Sequence, residues 1–224
     1  MALTGVGEPV PPLDCCINQT GCCPHKESLN VSISLSKGQK ITLEKQGGGA
    51  LTQVFMGLGW DVAKSGFLGS LFGGGGGIDL DASCVMFDAN KQVVDTVWFS
   101  QLDSVDGSIR HSGDNRTGDG DGDDEVIHVD LSRVPAHVES LVFTVNSFTG
   151  QTFDRVANAV CRLVDKGNNK EVAQLNLSGV RGSHTAVIMS KVYRHNGEWK
   201  LHAIGENASG QTFAQLLPRI LPHL

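Results

Sequence analysis

Three features of the 224-residue chain predict an all-β fold, an antiparallel β-sandwich. Short apolar runs alternate with polar residues at period two, as a strand with one buried face requires. Turn sequences separate these runs at close intervals, and 28 glycines supply the turns. Helical periodicity is confined to one short turn and the C-terminus. About ten short strands with so little helix fit two packed sheets or a barrel. A sandwich presents its loops, the usual carriers of function, at its ends.

Residues 1–28 read as an irregular N-terminal segment, with prolines at 9, 11 and 12 ahead of a cysteine cluster and no periodicity. The sandwich domain is expected over 29–224. Val31, Ile33 and Leu35 alternate with polar residues, Lys37-Gly38 turns the chain, and Ile41 and Leu43 resume the alternation. Residues 50–61 read as an apolar strand ending at Trp60-Asp61. An insert with glycines at 73–77 follows. It is no phosphate loop, because Ile78-Asp79 stands where Gly-Lys-Ser/Thr is needed, and no helix follows to complete a dinucleotide fingerprint. It reads as a loop tip whose Phe67, Leu68, Leu71 and Phe72 cap the core, an apolar tip that leaves peripheral membrane contact open.

Strands over 79–88 and 93–100 flank a turn at Ala89-Asn90-Lys91. Strands over 126–135 and 140–148 come next, and 152–165 opens with a helical turn around Asp154 to Ala157. Its second half alternates Ala159, Cys161 and Leu163 as a strand. Three more strands, 171–178, 184–195 and 198–206, follow. The last two are joined by Asn196-Gly197, the strongest two-residue hairpin signal. Residues 210–224 read as a short helix that Pro218 interrupts.

Composition excludes several classes. Hydrophobic content of 40% and charged content of 19% are those of a globular chain that buries a core. A net charge of -6 argues against nucleic acid as a partner, since phosphate binding needs a basic surface. No apolar run approaches the roughly 20 residues of a membrane helix. The N-terminus lacks the basic start and apolar middle of a signal peptide, so a cytosolic location is expected. Cys84 and Cys161 lie in apolar runs and read as buried thiols. Cys15, Cys16, Cys22 and Cys23, with His25 nearby, read in a reducing compartment as a thiolate site for Zn²⁺ or as redox-active thiols. Their CC-x5-CC spacing is not a standard zinc pattern.

The charge is concentrated. Residues 106–130 carry eight of the 24 acidic residues, opposed only by Arg110 and Arg116, which leaves 16 acids and 16 bases elsewhere. Carboxylates packed this tightly repel unless solvated or neutralised, and a hard cation with six to eight oxygen ligands suits them. A solvated acidic loop is the alternative. Asp79-Leu80-Asp81 adds two carboxylates on one side of an extended strand. An EF-hand is excluded. Asp119, Asp121 and Asp123 fit positions 1, 3 and 5, but Asp124 occupies the obligatory glycine position and flanking helices are missing.

Taken together, Gly57-Leu-Gly-Trp-Asp61, Asp79-Leu-Asp-Ala-Ser83, Asp106-Gly-Ser108, Gly113-Asp-Asn-x-Thr-Gly118, Gly120-Asp-Gly-Asp-Asp-Glu125 and Tyr193-Arg-His-Asn-Gly-Glu-Trp199 resemble the bacterial tellurium-resistance TerD family over about residues 30–217. The resemblance implies a calcium-binding β-sandwich tied to tellurite and general stress resistance, holding one or two Ca²⁺ in acidic loops at one end. The ligands it implies are Asp79, Asp81, Asp114, Asn115, Asp121, Asp123, Asp124 and Glu125, with Asp61 nearby and backbone carbonyls such as that of Gly118. It further implies partners among other proteins of the same resistance system. The N-terminal cysteines and the glycine-rich insert depart from shorter family members.

A non-catalytic binding or scaffold role is the expectation. The competing reading is a metal-dependent hydrolase using the clustered carboxylates. No G-x-S-x-G elbow is present. Of eight scattered histidines, His111 and His195 lie nearest to anything of interest.

Overall fold

The computed structural model describes residues 32–45, 48–62, 78–115, 122–177 and 182–224. Cys15, Cys16, Cys22, Cys23, Gly118, Asp121 and the glycine-rich insert lie outside the described residues.

The strands are β1 (Ile33–Ser34), β2 (Lys40–Thr42), β3 (Gln53–Val62), β4 (Leu80–Asp88), β5 (Val93–Val97), β6 (Ile109–His111), β7 (Glu125–Asp130), β8 (Val138–Ser147), β9 (Val156–Asp165), β10 (Lys170–Asn176), β11 (Ala186–His195) and β12 (Glu198–Ala208), followed by helix α1 (Phe213–Ile220). They form two six-stranded sheets. The first runs β1-β10-β9-β3-β7-β6 and the second β2-β12-β11-β8-β4-β5. Among these pairings only β1 with β10 is parallel. The sandwich expected from the alternation is the fold observed.

Alternation sets the core. On β7 the pattern buries Glu125, Ile127 and Val129 and leaves Val126, His128 and Asp130 half exposed. Residues of both sheets, Met56 and Leu163 from one and Phe143 and Met189 from the other, meet in one cluster between them. The second sheet is covered on its outer face as well. Val85, Phe87, Val142 and Ile188 pack under Leu216 and Ile220 of α1. That third layer explains why β4 is buried on both faces rather than alternating.

The helix corrects one expectation. Pro218 lies inside α1 rather than interrupting it. A proline in a helix interior forfeits about 3 kcal/mol, and the complete burial of Leu216 and Ile220 against the sheet offsets that loss. The turn expected around Asp154 to Ala157 is a single 3-10 turn at Phe153–Arg155, after which β9 begins. The strand β6 falls within the acidic stretch that read as a loop. Three residues are too few to show a period.

At the β11–β12 hairpin, Asn196 and Gly197 have φ of 53° and 80°, the left-handed pair that a tight two-residue hairpin turn requires. Among the described residues no helix is long and apolar enough to cross a membrane.

Candidate metal centre

The acidic loop is fastened to the sandwich by its own carboxylates. Arg162, on β9, donates from Nε to Asp123 Oδ1 at 2.7 Å and from Nη2 to Asp123 Oδ2 at 2.9 Å. This two-pronged ion pair is half shielded and orients the loop. Asp124 Oδ2 accepts the Trp60 backbone N–H at 2.9 Å, and its Oδ1 accepts from Asn115 Nδ2 at 3.0 Å. Burial, with the nearby charges of Asp61, Asp123 and Glu125, raises the Asp124 pKa, while the Trp60 N–H opposes the shift.

Glu125 is fully buried at the first, core-facing position of β7. Its Oε2 accepts the Ala82 N–H at 2.7 Å and its Oε1 accepts the Asn115 N–H at 3.2 Å. His111 Nε2 lies 3.2 Å from the Ala82 carbonyl oxygen and 3.4 Å from Glu125 Oε2. The Gly113 N–H donates to His111 Nδ1 at 3.0 Å, so the ring proton sits on Nε2. The reason for this arrangement is topological. β5 pairs with β4 only from Cys84 onward, so the backbone groups of Ala82 reach past the end of their neighbour. A buried N–H or carbonyl without a partner costs about 1–3 kcal/mol. Glu125 and His111 replace the missing strand.

The glycines of Gly57-Leu-Gly-Trp-Asp61 have a steric purpose here. A Cβ on Gly57 would stand 2.1 Å from Asp123 Oδ2, and one on Gly59 would stand 2.8 Å from the Gly122 carbonyl oxygen. The loop therefore lies directly on bare β3 backbone.

With the loop so fixed, Asp114 comes to Asp79 and Asp81. One carboxylate oxygen of each lies within 4.8 Å of the others. Two oxygens on one Ca²⁺ are at most about 5 Å apart, given bonds of roughly 2.4 Å. Asp81 is 3% exposed, and its Oδ2 finds no hydrogen-bond partner among the described residues. Burial raises the Asp81 pKa to about 8, helped by the charges of Glu125, Asp79 and Asp114. Among the described residues no cation offsets this carboxyl. A divalent cation supplies the counter-charge, and the donor set is hard oxygen throughout, so the residues fit the group.

Of the predicted ligands, the structure thus gathers Asp79, Asp81 and Asp114. Asp123, Asp124 and Glu125 are held by Arg162, Trp60 and Ala82, while Asn115 braces Asp124 and Glu125. Asp61 is exposed at the end of β3, close enough to act on Asp124 electrostatically. Sequence reasoning did not single out Arg162 or Asn146. Arg162 was visible as a lone charge in an apolar run, but nothing marked its partner 39 residues away. Asn146 stands opposite Asp81 in the β4–β8 register, with its Oδ1 buried and lacking a hydrogen-bond partner among the described residues.

The molecule is thus a β-sandwich carrying a carboxylate cluster at the ends of its strands. The TerD domain pattern matches residues 31–219, and the chain belongs to the TerD-domain family. It is 52% identical to the tellurium resistance protein TerZ of Serratia marcescens over 80% of this chain and 92% of that protein. Identity to the stress response protein SCP2 of Bacillus subtilis is 40%, over 84% of this chain and 99% of the relative. The crystal structure of a homologue of the telluride resistance protein TerD from Streptomyces coelicolor A3(2) superposes with a TM-score of 0.62. It covers 75% of this chain and 96% of its own, and at 22% identity it supports the fold alone.

Proposed function

We propose that this chain is a calcium-binding module of a tellurite and chemical stress-resistance system, acting in the cytosol as a binding or scaffold protein rather than a catalyst. The observation that carries the calcium reading is the Asp79–Asp81–Asp114 cluster, in which the buried Asp81 Oδ2 has no hydrogen-bond partner among the described residues. Asp79, Asp81 and Asp114 would hold the ion, which would supply the missing positive charge and tie the acidic loop to the start of β4. The role in stress resistance rests on family membership and on the names of the relatives. A scaffold role accords with the commitment of His111, the histidine nearest the cluster in sequence, whose two ring nitrogens are both engaged with protein groups. It is therefore not placed to serve as a general base.

Thermal unfolding with and without metal tests the reading. Millimolar Ca²⁺ should raise the melting temperature of chelator-treated protein, by about 2.7 kcal/mol of stability at a hundredfold excess over Kd. Mg²⁺, which demands rigid octahedral geometry, should raise it less. A melting temperature unmoved by Ca²⁺ and by chelator would overturn the calcium assignment.

A further inference from the structure

A cationic patch lies away from the carboxylate cluster, on the outer face of the first sheet. Arg110 of β6 pairs in register with His128 of β7, and His128 with Phe55 of β3. One step along, Asp130 is opposite Gln53. Side chains directly across antiparallel strands share a face. Together with Arg133, Lys166 and Ser108, all of these but Phe55 line a cleft of about 230 Å³. The volume is several times the roughly 30 Å³ that one water occupies in the liquid.

Three cations converge there, in a chain whose net charge is -6. The acid among them, Asp130, is already engaged. It accepts from the Ser132 hydroxyl, from the Ser132 N–H at 3.1 Å and from Gln53 Nε2 at 3.1 Å. These bonds, Ser132 foremost, hold its carboxyl below the usual range, with Arg133 adding to the effect. The cations are weakly engaged by comparison. Arg110 meets Asp103 at 3.6 Å with both side chains mostly in water, a pairing of little worth. Arg133 Nη2 donates to the Asp106 carbonyl oxygen at the long distance of 3.5 Å.

Two uncharged polar atoms complete the lining. His128 Nδ1 and Ser108 Oγ are buried and have no hydrogen-bond partner among the described residues. Burial lowers the His128 pKa, and Lys166 and Arg110 lower it further, so the cleft carries a positive field at a neutral ring. A field that repels a proton attracts an anion.

We propose that this cleft is a binding site for a small oxyanion, held by Arg110, Arg133 and Lys166 with hydrogen bonds from Ser108 and His128. The chemistry is shared by inorganic phosphate, sulfate and tellurite, and the test separates them. The site is independent of the calcium reading.

The experiment titrates the full chain in chelator with each of the three oxyanions, by calorimetry and by NMR of the histidine rings. Saturable one-to-one binding is expected, with an upward move of the His128 titration midpoint as the anion stabilises the imidazolium. Arg110→Gln combined with Lys166→Gln should weaken binding at least about tenfold. Arg219→Gln removes an exposed cation from α1 and should leave binding unchanged. Both sets of changes fall on exposed side chains, and an unchanged melting temperature would confirm that the fold survives. Tighter binding of tellurite than of phosphate would make this a tellurium-oxyanion site, and the reverse order a phosphate-type site. Linear, non-saturating heats with all three anions would overturn the proposal. So would an unmoved His128 midpoint, or equal losses from the cleft variants and Arg219→Gln.

Discussion

The carboxylates at positions 123–125 and those at 79, 81 and 114 are one chemistry in two situations. In the first group each charge has a protein answer: Arg162 for Asp123, the Trp60 N–H and Asn115 for Asp124, the Ala82 N–H for Glu125. In the second group three carboxylates face one another, and the buried Asp81 Oδ2 has no hydrogen-bond partner among the described residues. The first group fastens a loop to β3, β4 and β9. The second is what the fastened loop completes. A run of acidic residues is therefore not one site, and mutations in its two parts should differ in kind.

The largest effect is expected at Glu125. Glu125→Ala leaves the buried Ala82 N–H without its acceptor and takes one from the half-buried Asn115 N–H, and should cost about 3–5 kcal/mol in denaturant unfolding, with or without calcium. A loss below 1 kcal/mol would mean that water or a shifted loop replaces the carboxylate, and the contrast between the two groups would blur.

Gly57→Ala should come next. Its Cβ would stand 2.1 Å from Asp123 Oδ2, so the loop or the Arg162 pair must move, at about 1–3 kcal/mol. Because the loop carries Asp114, calcium binding should weaken as well. Asp123→Ala should relieve the clash in Gly57→Ala, a coupling that a double-mutant cycle measures.

Asp81→Asn should give the smallest change in stability, and of opposite sign. Replacing a carboxyl whose ionised form the fold disfavours should leave the chelated protein as stable or more so, while calcium affinity falls more than tenfold, about 1.4 kcal/mol or more. Its pH behaviour sharpens the contrast. Because the folded-state pKa is raised to about 8 from 3.8, the native state holds a proton that the unfolded chain releases. The stability this contributes is fully present below about 4 and is lost as pH rises through about 8. Melting of wild-type protein in chelator should therefore decline across that window relative to Asp81→Asn, and calcium should reverse the decline.

The sequence carried much of this. Alternation at period two placed β7 and β12, because a strand with one buried face must alternate, and apolar runs placed β3 and β8. Asn196-Gly197 fixed a hairpin, because few residues adopt two consecutive positive φ values. The spacing of Asp79 and Asp81 put both on one side of an extended strand, and the structure brings their oxygens together with one from Asp114. What local pattern misread was governed by packing. Pro218 stays helical because Leu216 and Ile220 are buried beneath it. The bonds of Glu125 were likewise beyond local pattern: it lies on the core face of β7 in alternation with Ile127 and Val129, and its carboxylate accepts the Ala82 and Asn115 N–H groups there.

By itself, then, the sequence determined the strands, the turn chemistry and the stock of carboxylates, all set by neighbours within a few residues. Only the tertiary structure decided which carboxylates meet protein donors, and that the buried Asp81 Oδ2 finds none among the described residues. Asp123 meets Arg162 from 39 residues away and Glu125 meets Ala82 from 43, pairings made by strand order and not by spacing. A charge becomes a candidate ligand only after the fold has distributed its hydrogen-bond donors, and that distribution is a property of the assembled sheets.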